Sequence, residues 1–180
     1  KMLRECVRLA REEQRLVVFL EPIALYPARD LHGEKDGGWM RHYPAPGESI
    51  ALGEVGVQGD GTDLAIVTFG NGNYLTHQAL PEIEAAGIKA RIIDLRWLSP
   101  LPVEAMVAAI KGCKHVLVVD ETRHSGGVAE ALMAALHEAG VAKMARVTST
   151  DCFIATGPAY AATMPSVQSI TQAAKSLVKS

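Results

Sequence analysis

Three tracts of the chain gather residue types that could do chemistry. Gly70-Asn71-Gly72 follows an apolar run and opens a helical pattern, so its backbone N–H groups and the helix dipole could hold an anion. Arg96-Trp97 stands just after a second apolar run. Asp120 through Gly127 brings acid, cation, imidazole and hydroxyl together ahead of a further helix start. In a parallel α/β sheet the positions after the strands are where ligands sit, so the candidate ligand or interface residues are Gly70, Asn71, Gly72, Arg96, Glu121, His124, Gly126 and Gly127. No nucleophile stands beside a plausible base, and no catalytic residue is assigned.

Two sharper motifs fall short on spacing. Asp94 occupies the place of a ribose-binding acid in a dinucleotide fold, but Leu75 stands where the third glycine of GxGxxG belongs. A tight strand-to-helix turn is the favoured reading of Gly70 to Gly72, and a small nucleotide-binding module is kept as an alternative. Gly59-Asp60-Gly61 resembles the start of the metal-diphosphate motif of thiamine enzymes, which needs an Asn about one βα unit downstream. Asn71 and Asn73 come too soon, so Gly59 to Gly61 reads as a turn feeding a strand. The six histidines show no HxxxH or HExxH pairing, and Cys6, Cys113 and Cys152 form no CxxC pair. No metal and no cofactor is assigned to these residues.

Composition narrows the partners. With 18 basic and 20 acidic residues spread along the chain there is no Lys/Arg block to neutralise a row of phosphates, so nucleic acid is not an expected partner. No apolar run approaches the roughly 20 residues that cross a bilayer, so no membrane span is expected, and a cytoplasmic location fits thiols without a disulfide pattern. A chain of 180 residues that is 48% hydrophobic can bury one good core and part of a second.

The elements that must position the three tracts are legible from periodicity. Asp63 to Phe69, Ala90 to Leu95, His115 to Asp120 and Met144 to Thr148 are short, β-branched and continuously apolar at their centres, which is the pattern of strands covered on both faces. Between them Val103, Met106, Val107 and Ile110 recur at i, i+3, i+4, i+7, with Pro102 at the first turn and Gly112 past the end. Val128, Leu132, Ala135 and Leu136 give another helix, and Val167, Ile170, Ala174, Leu177 and Val178 a last one with Ser166 as N-cap. The helix between Asn73 and Ala86 carries Pro81 in its interior, where a kink or break is expected. The fold class is α/β: three layers, a mostly parallel sheet with helices on both faces. Ahead of it, Leu3 to Leu16 reads as a helix with Leu3, Val7, Ala10 and Gln14 on one face, Leu16 to Leu20 as a buried strand, and Glu21 to Gly61 as an irregular interdomain connection.

Leu20-Glu21-Pro22-Ile23-Ala24-Leu25-Tyr26, Ile92-Ile93-Asp94-Leu95-Arg96-Trp97-Leu98-Ser99-Pro100-Leu101, and Val118-Val119-Asp120-Glu121 followed by Gly126-Gly127-Val128-Ala129-Glu130 resemble the beta subunit of the decarboxylating component of 2-oxoacid dehydrogenases, in the transketolase superfamily. Arg146-Val147 and Asp151 extend the likeness into the closing portion, so it runs nearly end to end. Pro102 departs from the family's acidic helix cap, and Cys152 to Gly157 looks like the ending of a variant in which alpha and beta parts are fused.

The resemblance implies that residues 1–48 are the tail of a preceding pyrimidine-binding domain with its linker, and that 49–180 are the transketolase carboxy-terminal domain. It implies a parent enzyme that decarboxylates a 2-oxoacid on thiamine diphosphate and Mg, bound by other domains, and passes the acyl group to lipoamide. For this chain it implies no catalysis of its own, but dimerisation with a homodimer partner, contact with the preceding domains, and docking of the lipoyl acyltransferase core. A domain of transketolase or deoxyxylulose phosphate synthase is the nearest alternative.

Overall fold

The computed structural model describes residues 1–180. A five-stranded sheet carries the molecule: β1 (Gly56–Gln58), β2 (Leu64–Thr68), β3 (Ala90–Asp94), β4 (His115–Arg123) and β5 (Met144–Ser149). Its spatial order is β1-β3-β2-β4-β5, with β1 antiparallel to β3 and the other pairs parallel. The helices are α1 (Met2–Glu12), α2 (Asn71–Ala85), α3 (Val103–Ile110), α4 (Val128–Glu138) and α5 (Val167–Lys179), with 3₁₀ turns at Ile23–Leu25 and Gly157–Ala162. No helix is long and apolar enough to cross a membrane.

The alternation of side chains along each strand sorts two cores onto the two faces. Ala65, Val67, Ile93, Leu95, Val116 and Val118 pack under α3 and α4 through Met106, Ile110, Leu132 and Leu136. Leu64, Ile66, Leu117 and Val119 pack under α2 and α5 through Ala79, Ile83, Ile170 and Ala174. All five residues of β2 are buried, as its continuous apolarity requires for the central strand. The three-layer expectation holds, and Val103–Ile110 is helical with Met106 and Ile110 buried. At α5, Ser166 Oγ accepts the Ser169 N–H at 3.1 Å, while Ser169 Oγ accepts the Ser166 N–H at 2.8 Å, which closes a capping box.

Four expectations are corrected. Leu16 to Leu20 is no strand: the segment is irregular, with Leu16 96% and Leu20 73% exposed. An apolar β-rich run forms a strand only where a partner edge is available, and both edges of the sheet lie elsewhere. In α1 the buried face is Glu5, Cys6 and Leu9, not Leu3 and Val7. Both stripes satisfy helical spacing, and contact with Trp97 and Leu52 selects the one that is buried. Helix α2 continues through Pro81, which lies on its exposed side, so the break allowed for there does not occur. The fourth correction is β1, a strand inside the segment expected to be irregular; its three residues are too few to show a period.

The segment before the sheet is held by polar contacts. Asp36 accepts the N–H groups of Leu31, His32, Gly33 and Gly38 at 2.7–2.9 Å, and Asp30 accepts those of Lys35 and Gly37 at 2.8 Å. The loop they shape docks on α2: Tyr74 donates its hydroxyl to the Asp30 carbonyl at 2.9 Å, and Trp39 meets the Tyr74 ring edge-on at 4.9 Å.

Candidate functional site

The chain leaves β2 through α2 toward β3 on one side, and leaves β4 through α4 toward β5 on the other. The crevice between the carboxyl ends of β2 and β4 is therefore the switch point of the sheet, the place where such folds bind ligands. Asn71 stands at the end of the first path and Glu121 at the end of the second, and the Asn71 side-chain Nδ2 donates to Glu121 Oε1 across the crevice. They line a cleft of about 710 Å³ with Gly70, Asn73, Asp94, Arg96 and Trp97, and the irregular segment Arg15–Pro22 forms its other wall.

Local geometry explains why these residues occupy these places. Gly70 has φ +56°, a left-handed turn that lets α2 start directly off β2. A Cβ at Gly72 would collide with Thr68 Oγ1, so the helix approaches the strand only with glycine there. Both glycines thus serve the turn. Arg96 also has a positive φ of 59°, which costs a non-glycine residue about 1–2 kcal/mol. It is held there by the bond from its N–H to Asp94 Oδ1 at 3.3 Å, and by its guanidinium, which lies over Gly56 of β1 and pairs with Glu54 at 2.9 Å.

Glu121 and its neighbour Asp120 point to opposite faces of β4. Asp120 is fully buried and accepts the Ala129 N–H at 2.8 Å, stabilising the start of α4. Glu121 faces the cleft, where burial pushes its carboxyl above the ordinary value, opposed by the Asn71 amide and reinforced by Asp120. Burial likewise raises Asp94, against the pull of Arg96.

The predicted residues divide. Gly70, Asn71, Arg96 and Glu121 line the cleft, and Gly72 packs beneath it. His124, Gly126 and Gly127 do not join them. His124 turns to β5, its Nε2 accepting from Arg146 at 2.7 Å and its Nδ1 lying 3.1 Å from Thr148 Oγ1. Gly127 is the N-cap of α4, where a Cβ would strike Thr122 Oγ1. Sequence reasoning passed over Asn73 and the Arg15–Pro22 wall. Asn73, two residues beyond Asn71 in the same opening turn, carried a readable signal; the wall did not.

The Gly59-Asp60-Gly61 turn does not make a diphosphate cradle. Gly59 has φ +78°, and a Cβ at Gly61 would run into the Lys89 backbone, so the turn is spent on packing against the lead into β3. No cluster of His, Cys, Asp and Glu side chains gathers as metal ligands would.

Sheet order, helices on both faces and a switch-point crevice define a doubly wound α/β domain. The chain belongs to the family "Transketolase, C-terminal domain", whose model matches residues 53–170. It is 27% identical over 167 residues to the pyruvate dehydrogenase E1 component subunit beta of Bacillus subtilis, covering 91% of this chain and 48% of that protein. Against the same subunit of Staphylococcus aureus it is 28% identical over 163 residues, 88% of this chain and 47% of that one. The chain thus spans about half the length of these relatives. A solved split-gene transketolase, described as an inactive beta4 tetramer, superposes with TM-score 0.66 at 22% identity, covering 77% of this chain and 46% of that one. A 2-oxoglutarate:ferredoxin oxidoreductase from Magnetococcus marinus matches with TM-score 0.50 at 21% identity, over 69% of this chain and 20% of that one. These two likenesses bear on the fold.

Proposed function

We propose that the chain is the carboxy-terminal part of a thiamine-diphosphate-dependent 2-oxoacid dehydrogenase, serving association rather than chemistry: it contacts the preceding domains, completes a homodimer and borders the docking surface of a lipoyl acyltransferase core. The observation that carries this reading is where the similarity stops. The shared domain spans residues 53–170, yet the likeness to the pyruvate dehydrogenase beta subunits covers 91% of the chain. Leu20-Glu21-Pro22 and the flank around it lie outside residues 53–170 but within the reach of the beta-subunit likeness. That favours a 2-oxoacid enzyme over transketolase or deoxyxylulose phosphate synthase.

Thiamine diphosphate and Mg would be held by other parts of the enzyme, since the residues present here do not fit the group. In the whole enzyme the cofactor would supply the carbanion-stabilising chemistry of decarboxylation. The test is reconstitution: the upstream-encoded portion of the enzyme is purified with and without this chain, and ferricyanide-coupled oxidation is assayed with pyruvate, branched 2-oxoacids and, separately, sugar phosphates. Turnover of a 2-oxoacid only when the chain is present is expected. Full activity without it, or turnover of sugar phosphates instead, overturns the reading.

A further inference from the structure

We infer that the switch-point cleft between Asn71 and Glu121 is a binding site for a small organic ammonium compound with an apolar or aromatic body. The inference is independent of the role in a 2-oxoacid dehydrogenase, and either can fail without the other.

The charges around the cleft decide the sign. Its two cations are already paired, Arg15 with Glu13 at 2.9 Å and Arg96 with Glu54 at 2.9 Å. Glu121 has no cation within ion-pair distance; the neutral Asn71 amide is its one side-chain partner. Asp94 has Arg96 Nε only at 3.9 Å. Burial disfavours the charged form of both carboxyls, so each gains from a positive ligand that replaces lost water.

One side chain more than nine-tenths buried lines the same cleft with an acceptor left unpartnered: Asn73, through Oδ1. An unpaired buried acceptor costs free energy, and a ligand that brings an N–H to it recovers that cost. Glu121, Asp94 and Asn73 Oδ1 all accept, and an ammonium brings three N–H donors and a charge. A hard metal ion would need six or more converging oxygens, and the cleft offers no such cluster. An anion at the amino-terminal turn of α2 would sit beside Glu121, which no cation balances, and Asp94, whose Arg96 is shared with Glu54. The apolar part of the lining includes Phe69, Trp97, Leu98, Leu9 and Val17, which suits an apolar body.

The experiment uses the intact ¹⁵N-labelled chain and three isosteric probes: 2-phenylethylammonium, 2-phenylethanol and 3-phenylpropionate. The ammonium should shift the Trp97 indole N–H and the Gly70 to Asn73 amides in a saturable way, leaving the Trp39 indole N–H in place; Trp97→Phe assigns the signal. Glu121→Gln should weaken that binding about tenfold or more while the rest of the spectrum stays unchanged, so loss of folding is read in the same measurement. The inference is overturned if the alcohol or the carboxylate shifts these signals as well as the ammonium does, if Glu121→Gln binds as tightly as the parent, or if nothing saturates by about 10 mM.

Discussion

Asp120 Oδ2, on the buried end of β4, accepts the backbone N–H of Ala129, the second residue of α4, at 2.8 Å, while its Oδ1 accepts the Thr122 N–H at 2.8 Å. One carboxylate therefore fixes both the turn that leaves the strand and the helix that follows. The next residue, Glu121, points to the other face and meets the start of α2 through Asn71. Period-two alternation at the end of a single strand thus distributes two acids to two helices on opposite faces of the sheet.

The two acids should behave differently on substitution. Asp120→Ala strands the buried Ala129 N–H and the part-buried Thr122 N–H, both bonded to a charged acceptor, and should lose about 2–4 kcal/mol. Glu121→Gln keeps the partner of Asn71 and removes a desolvated acid, so it should be neutral or stabilising at neutral pH. Urea melts of both variants check this, and equal losses would contradict the assigned facings.

Helix α3 offers a cleaner contrast. Ile110 is 6% exposed in the core and Glu104 faces water. Ile110→Ala should cost about 2–5 kcal/mol and Glu104→Ala less than about 0.5 kcal/mol, measured as shifts of the denaturation midpoint at constant slope.

Much of this architecture was legible in sequence. The four parallel strands and helices α3, α4 and α5 were marked by apolar period and by their caps, because each is decided mostly by burial. Two of the failures share one cause. Leu16 to Leu20 is as apolar as the true strands, but strand formation depends on a neighbouring edge that no local pattern encodes. The choice of α1's buried stripe depends on Trp97, 88 to 91 positions away in sequence from Leu9 and Cys6. Within the site, Gly70, Asn71, Arg96 and Glu121 were found from the rule about strand ends, whereas His124, Gly126 and Gly127 satisfied the same rule and were taken up by β5 and by the start of α4.

The loop around Asp36 should resist acid. Bonds from Gly38, His32, Leu31 and Gly33 hold the Asp36 carboxyl well below the usual carboxylate range. Because the folded value is depressed, its contribution is fully present above the unfolded value of about 3.9 and is lost as pH falls through the lower, folded one. The environment of Trp39, at the end of the loop, should therefore stay constant through the pH range in which free carboxylates titrate. Asp36→Ala should change Trp39 fluorescence and speed proteolysis between residues 29 and 39 even at neutral pH. A Trp39 signal that titrates near the usual carboxylate value, or an unaltered loop in the variant, would contradict this.

Removing residues 1–48 tests how far the sheet domain stands alone. The two large cores, on the α3/α4 and α2/α5 faces, draw no buried residue from this segment, which argues that a chain starting at Ser49 keeps its cooperative unfolding. The third cluster argues for a cost, since Cys6 and Leu9 cover Trp97, and Tyr74 and Gln78 donate to carbonyls of Asp30 and Leu31. Burial of a large side chain is worth about 1.5–3 kcal/mol, so exposing Trp97 should lower stability by a few kcal/mol without abolishing the fold. Circular dichroism, urea melts and Trp97 fluorescence on the two chains measure this, with a red-shifted emission expected for the shorter one. An unfolded truncated chain would show that α1 and its following segment belong to the core, and would move the boundary at Ser49 toward the amino terminus.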